Sequence, residues 1–228
     1  GYGSSFWPSP QRDWALIPPP EFDKLAWNAA IDGTSVTMES RIAQRTDLAA
    51  LQRTTPIAES SAVGIEYRII NHANVSRLVA PWENTRVRAK GITFYPSQEP
   101  SFPDSTLALT PSDGIVWYTH VPSEIEKTVE SLGDGQEGWV AHTDGNLLFV
   151  KVFPDVARSA LAPGAGELNI RAHVSGRFVD IGQQGTYTEL APGQLLTWQI
   201  YWVLQSIPED VDVRAGNPQL VSMARRLA

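Results

Sequence analysis

The run Ala62-Val63-Gly64-Ile65-Glu66-Tyr67-Arg68-Ile69-Ile70-Asn71 sets Val63, Ile65, Tyr67 and Ile69 at every second position. Side chains of a β-strand alternate between two faces, so this spacing reads as a strand with one buried side and fits no helical stripe. The same period recurs on both sides of it. Thr34 to Ser40 alternates through Val36 and Met38, and further strands are expected over 48–54, 77–86, 91–96, 105–110, 114–119, 137–143, 146–153, 167–174, 177–183 and 195–204. Turn formers separate them: Asp32-Gly33, Pro111-Ser112-Asp113-Gly114, Thr143-Asp144-Gly145-Asn146, Pro163-Gly164-Ala165-Gly166 and Ala191-Pro192-Gly193. A dozen short strands at this spacing predict an all-β sandwich or barrel.

Only two segments read as helical. Ser123 to Leu132 carries Glu126 three residues after a serine, a capping-box pattern. Asn217-Pro218 opens a short helix over 217–228, with Asn as N-cap, Pro at the first helical position and Arg225 and Arg226 near the end. Residues 1–30 hold Pro8, Pro10, Pro18, Pro19 and Pro20 among Trp7, Trp14 and Trp27. Proline excludes helix and central strand here, and three exposed indoles would be costly, so this stretch is expected to wrap the body of the protein. No linker or repeat divides the chain, so residues 1–228 read as one domain. Its opening, Gly1-Tyr2-Gly3-Ser4-Ser5-Phe6-Trp7, looks like the inside of a loop motif, which suggests strands upstream of it.

Composition narrows the chemistry. The 228 residues include no cysteine, which excludes disulfides, thiolate metal sites and cysteine nucleophiles. A net charge of −7 argues against a nucleic-acid surface, which needs a basic face. No run of eighteen apolar residues marks a membrane span. The compartment stays open, with a periplasmic or secreted location slightly favoured over the cytoplasm. Subunit number is equally open. No phosphate-cradling glycine loop, H-E-x-x-H or G-x-S-x-G occurs, and the four histidines show no metal-ligand spacing, so neither metal nor cofactor is expected.

Three clusters could carry chemistry. Ala80-Pro81-Trp82-Glu83-Asn84-Thr85-Arg86-Val87-Arg88 gathers an indole, a carboxylate, an amide and two guanidinium groups on one strand. It reads either as a solvated strand face or as a surface for a polyhydroxylated ligand, where indoles stack on sugar C–H faces and polar groups bind hydroxyls. Lys151, in Lys151-Val152-Phe153, is either an edge lysine or a cleft cation that needs a carboxylate, Glu83 being one choice. Asp180, Gln183 and Gln184 lie on a strand that leads to a polar turn, and Gln183 could contact a ligand. His120 and His142 each close a tryptophan-bearing strand, beside Trp117 and Trp139.

Phe6-Trp7-Pro8-Ser9-Pro10-Gln11, Glu66 to Asn71, Ala80-Pro81-Trp82-Glu83, Gly91-Ile92-Thr93-Phe94-Tyr95-Pro96, Gln184-Gly185-Thr186-Tyr187-Thr188-Glu189-Leu190-Ala191-Pro192-Gly193 and Leu196 to Trp202 follow in an order that resembles an uncharacterised bacterial family of the galactose mutarotase-like superfamily. The resemblance implies an antiparallel β-supersandwich with a carbohydrate-facing concave sheet. Aldose 1-epimerases of that superfamily use a carboxylate and a histidine, but here Trp82-Glu83-Asn84 stands where an Asn-His pair is expected, and only Asp180 approximates the catalytic glutamate. The expected reading is a carbohydrate-binding protein or a sugar epimerase. Glu83, His120, His142 and Asp180 are its candidate acid–base groups, and Trp82, Arg86, Trp117, Lys151 and Gln183 its substrate contacts. The alternatives are a non-catalytic binding module, with an aromatic-lined groove and no paired acid and base, and a structural or interaction module whose tryptophans form core and whose concave face is filled by residues 1–30.

Overall fold

The structure is a computed structural model and describes residues 3–14, 17–97, 107–121, 128–174 and 176–228. Two antiparallel sheets build it. The smaller has β1 (Gly3–Ser9), β6 (Arg77–Arg88), β14 (Phe178–Gln184), β13 (Leu168–Ala172) and β10 (Val129–Gly133) in that order, with β15 (Thr188–Leu190) also pairing β6. The larger runs β2 (Asn28–Asp32), β3 (Ser35–Glu39), β4 (Leu48–Pro56), β5 (Ala62–Asn71), β16 (Leu195–Ser206), β12 (Leu147–Val152), β11 (Trp139–Asp144), β7 (Ile92–Pro96), β9 (Ile115–Thr119) and β8 (Thr110–Ser112).

The alternation that opened the sequence reading has a direct consequence in β5. Ile65, Tyr67 and Ile69 point between the sheets and join Phe6, Val79, Leu168, Ile170, Ile181, Trp198 and Ile200 in one core. Tyr67 stacks on Phe6 of the opposite sheet, with ring centroids 4.1 Å apart. The far face of the large sheet is also apolar, with Ile92, Phe94, Trp117, Trp139, Leu148 and Val150. A sheet with two apolar faces needs a second cover. Here that cover is α2 (Pro218–Leu227), which buries Leu220, Val221, Met223 and Ala224 against it. Asn217 caps α2 through its side-chain oxygen, which accepts from the Gln219 N–H at 2.9 Å.

Four stretches differ from their sequence reading. Pro20–Asp23 is a short helix, α1, inside the stretch whose prolines were expected to exclude one, because Pro20 opens it at the first position, where a missing N–H costs nothing. Val129–Gly133 is a strand, not the end of a helix, because it pairs with β13 over five residues, and cross-sheet pairing overrides a local capping pattern. The start of that expected helix, residues 122–127, lies outside the described residues, as do 105 and 106 of the expected strand 105–110. Gly3–Ser9 is strand despite Pro8, since β1 is an edge strand bonded only to β6, where a missing donor is tolerated. Asp32-Gly33 reads as a turn centre, but the register Asp32↔Ser35 makes Gly33-Thr34 the two-residue loop, with Gly33 at φ 59°.

Candidate functional site

The two faces of β6 separate the cluster Trp82 to Arg86. Glu83 and Thr85 point inward, to the core. Glu83 has no exposed surface. Its Oε1 accepts from the Ser4 hydroxyl and, at 2.8 Å, from Thr85 Oγ1. Its Oε2 accepts from Gln183 Nε2 at 2.5 Å and pairs with Lys151 Nζ at 2.7 Å. Lys151 is 1% exposed and also donates to Thr85 Oγ1 at 2.7 Å and to the Ile181 carbonyl at 2.9 Å. Lys151 stands on the large sheet and Glu83 on the small one, so the ion pair bolts the two sheets together through the core. Burial pulls the pKa of the Lys151 ammonium down, and the charge of Glu83 opposes that pull. Tyr67 lies beside this network, and burial first, then the Glu83 charge, raises its phenol.

The partner sought for Lys151 is therefore Glu83, but the pair sits where no substrate reaches. Glu83, Lys151 and Gln183 are interior structural groups, which corrects their expected roles in acid–base work and ligand contact. His120 and His142 also face the core, where Thr93 Oγ1 bridges them, 2.8 Å from His120 Nε2 and 3.1 Å from His142 Nδ1. Burial first lowers both, His120 to about 3 and His142 to about 4, so both are neutral at pH 7. No hydrogen bond joins Glu83 to either of them, and the expected acid–base pair is not assembled. Trp117 and Trp139 are 2% and 1% exposed in the apolar cluster on the far side of the large sheet, so Trp117 is core and no stacking platform.

The outward face of the small sheet is different. Registers across it set out successive rungs: Trp7, Trp82 and Gln184; then Ser5, Asn84, Gly182, Asn169 and Leu132; then Arg86, Asp180, Arg171 and Glu130. Most of these side chains are polar. A groove of about 230 Å³ runs along the first rungs, with Trp82, Gln184, Asn169 and Leu132 below it. Gln11 and Arg12 of the N-terminal arm form one bank, and Pro163 to Ala165 the other. Trp82 is 9% exposed, because Trp7 packs edge-on against it at 5.3 Å and Trp14 stacks at 6.5 Å. The arm thus covers one side of the indole. Two polar atoms below the groove are buried without a partner, the Trp82 Nε1 donor and the Gln184 Oε1 acceptor. Gly182 lets the indole lie close against the strand, since a Cβ there would stand only 2.8 Å from Trp82 Nε1 and 3.2 Å from Asn84 Oδ1. A second hollow, about 460 Å³, opens across Trp7 between Ser5, Asn84, Arg86 and Asp23.

The carboxylates of this face are held by arginines. Arg86 grips Asp180 in a fork, Nε to Oδ1 at 2.7 Å and Nη2 to Oδ2 at 2.8 Å, while its guanidinium lies 3.9 Å over the Phe178 ring. Burial raises the Asp180 carboxyl, yet the hydrogen bonds of Arg86 and His173 outweigh it and hold the group below its ordinary value. Asp180 is thus a bound anion and not the free base expected of it. Arg171 pairs with Glu130 at 2.7 Å. His173 Nε2 lies 2.8 Å from Asp180 Oδ2, on the same outward face. Asn169, Arg171, Glu130 and His173 escaped the sequence reading. Period-two counting along Leu168 to His173 puts 169, 171 and 173 on one face, but only the register shows that this face meets Trp82.

Among the described residues one set of acids could hold a cation. Asp134, Asp155 and Glu167 bring carboxylate oxygens within 4.8 Å of one another. Glu167 already accepts from the Gly135 and Val156 N–H groups, both at 2.7 Å, and burial is the first cause that raises it to about 7.

No family model matches the chain, and no curated protein matches its sequence. Solved structures match in three dimensions. A candidate aldose 1-epimerase of Escherichia coli K12 superposes with a TM-score of 0.52 at 10% identity, covering 79% of this chain and 69% of that one. A galactose mutarotase-like protein of Lactobacillus casei ATCC 334 gives 0.52 at 10% identity, with 78% and 73% covered. A galactose mutarotase related enzyme of Lactobacillus acidophilus gives 0.52 at 9%, with 82% and 73% covered. The fold is galactose mutarotase-like, as the motif order implied, and the chain spans about seven tenths of each of these structures.

Proposed function

We propose that this protein binds carbohydrate on the outward face of its small sheet, in the groove above Trp82, Gln184 and Asn169. One observation carries the reading: a buried donor, Trp82 Nε1, and a buried acceptor, Gln184 Oε1, lie below the groove without partners. Leaving such atoms unmet costs on the order of 1–3 kcal/mol each. A sugar hydroxyl both donates and accepts, so one ring can satisfy both atoms. The amide of Asn169 and the guanidinium of Arg171 line the same groove and supply further partners. The names of the structural neighbours, aldose 1-epimerase and galactose mutarotase, support sugar as the ligand class.

A second reading, aldose 1-epimerase-like proton transfer, has its own observation. His173 is fixed by Asp180, and an oriented imidazole on this face can donate or accept a proton. It takes the role first sought in His120 and His142.

The test is a calorimetric screen of neutral monosaccharides against the wild type, Gln184→Ala and Gly182→Ala. Each variant is expected to bind about tenfold more weakly. Polarimetry of anomer interconversion with His173→Asn decides the second reading. If no sugar binds the wild type, the proposal fails. If sugars bind without mutarotation, the protein is a binding module.

A further inference from the structure

A separate cavity of about 360 Å³ lies on the other side of the Ser9-Pro10 segment from the sugar groove. We propose that it binds the oxyanion group, phosphate or carboxylate, of a small molecule. Two guanidinium groups from different elements line it: Arg45, in the turn between β3 and β4, and Arg77, the first residue of β6. Among the described residues Arg45 has no carboxylate within 4 Å. Its Nη1 donates to the Trp14 carbonyl at 2.9 Å, and the rest of the fork is left for another acceptor. Arg77 has only a long contact with Asp47, Nη2 to Oδ2 at 3.8 Å, and its Nε–H is buried with no partner. Thr46 lines the same cavity, is 8% exposed, and its hydroxyl also lacks a partner. Ser9, Ser76 and Tyr187 bring three more hydroxyl-bearing side chains to the wall.

Two like charges facing one cavity, with donors unmet beside them, make it a positive site that an anion would neutralise. Arginine forks and hydroxyls are the groups that bind phosphate and carboxylate oxygens. The one acid on the wall, Asp13, already faces Arg12 at 3.7 Å. Trp14, Pro8, Leu48 and Val79 give the rest of the lining an apolar character, which suits an anion carried on a small organic body. Neither arginine touches the sugar groove, so this site stands or falls apart from the one proposed above.

Calorimetry on the full chain tests it with inorganic phosphate, with glucuronate and with glucose as the neutral control. Saturable binding of phosphate or glucuronate in the millimolar range or tighter is expected. Arg45→Gln and Arg77→Gln should each weaken it about tenfold, Thr46→Val should weaken it less, and Arg45→Lys should retain most of it. Thermal melts of each variant check the fold, and the Thr46 and Arg45→Lys variants carry the test if either glutamine variant is unstable. Tighter binding of phosphate than of glucuronate names a phosphate ester as the source, and the reverse names a sugar or organic acid. Absence of saturation by either anion overturns the proposal. So does binding that survives both glutamine variants, or that is lost with Gly182→Ala instead, which would put the anion in the sugar groove.

Discussion

Glu83 and Arg86 sit three residues apart on one strand and live in different worlds. Glu83 faces inward, sealed in an ion pair with Lys151 that five further hydrogen bonds surround. Arg86 faces outward, bound to Asp180 but with 32% of its side chain exposed beside an open hollow. Both are charge pairs between strands. The difference is that the inner pair has no water to fall back on, while the outer pair can be exchanged for solvent or ligand. A charge near a sugar-binding fold is therefore informative only once its face is known.

The strongest way to break this contrast is Lys151→Met. It leaves Glu83 charged and uncompensated in the core, and a loss of about 3–5 kcal/mol is expected in urea denaturation. Adding Glu83→Leu should recover part of it, because an apolar pair needs no desolvated charge. A loss under about 1 kcal/mol for Lys151→Met would mean that the pair is solvated after all.

Acid should act next, and from the inner side. His120 and His142 titrate near 6.5 when unfolded but only at about 3 and about 4 when folded. The unfolded chain thus binds protons first, and the stability they contribute is full above pH 6.5 and drains as pH falls toward 3. Between pH 7 and pH 5 this amounts to roughly 2 kcal/mol per histidine. Glu167 runs the other way. Its folded value of about 7 lies above the unfolded 4.5, so it stabilises at low pH and its contribution fades as pH rises through 7. It offsets about one histidine over the same interval. Denaturation across pH should show a shallower acid limb in His142→Gln and a steeper one in Glu167→Gln. Unchanged limbs in both variants would remove this assignment.

The smallest effect belongs to the outer face. Glu130→Gln breaks the exposed pair with Arg171 and should shift stability by about 0.5 kcal/mol or less. A cost like that of Lys151→Met would erase the distinction between the two faces.

Much of this was legible before any coordinates. Strand after strand followed from period two, since burying one face demands it. A Lys151 paired with Glu83 was one of the two readings that its type and place left open. Period two also separates Trp82, Asn84 and Arg86 from Glu83 and Thr85. Reading the five as one cluster placed a core carboxylate beside a groove indole, which one strand cannot do.

Alternation alone could not say which face is inside. Trp117 and Trp82 both stand on strands, yet Trp117 is buried in the cluster that α2, from the far end of the chain, joins, while the N-terminal arm covers only one side of Trp82. Periodicity is a local property that assigns residues to a common face. Which face is buried, and which residues of distant strands meet across it, is a property of pairing and packing between segments far apart in sequence. The sequence by itself thus determined an all-β sandwich, most of its strands and the capped last helix. Tertiary structure alone decided that Glu83 and His142 are core, and that Trp82 and Gln184 border a groove.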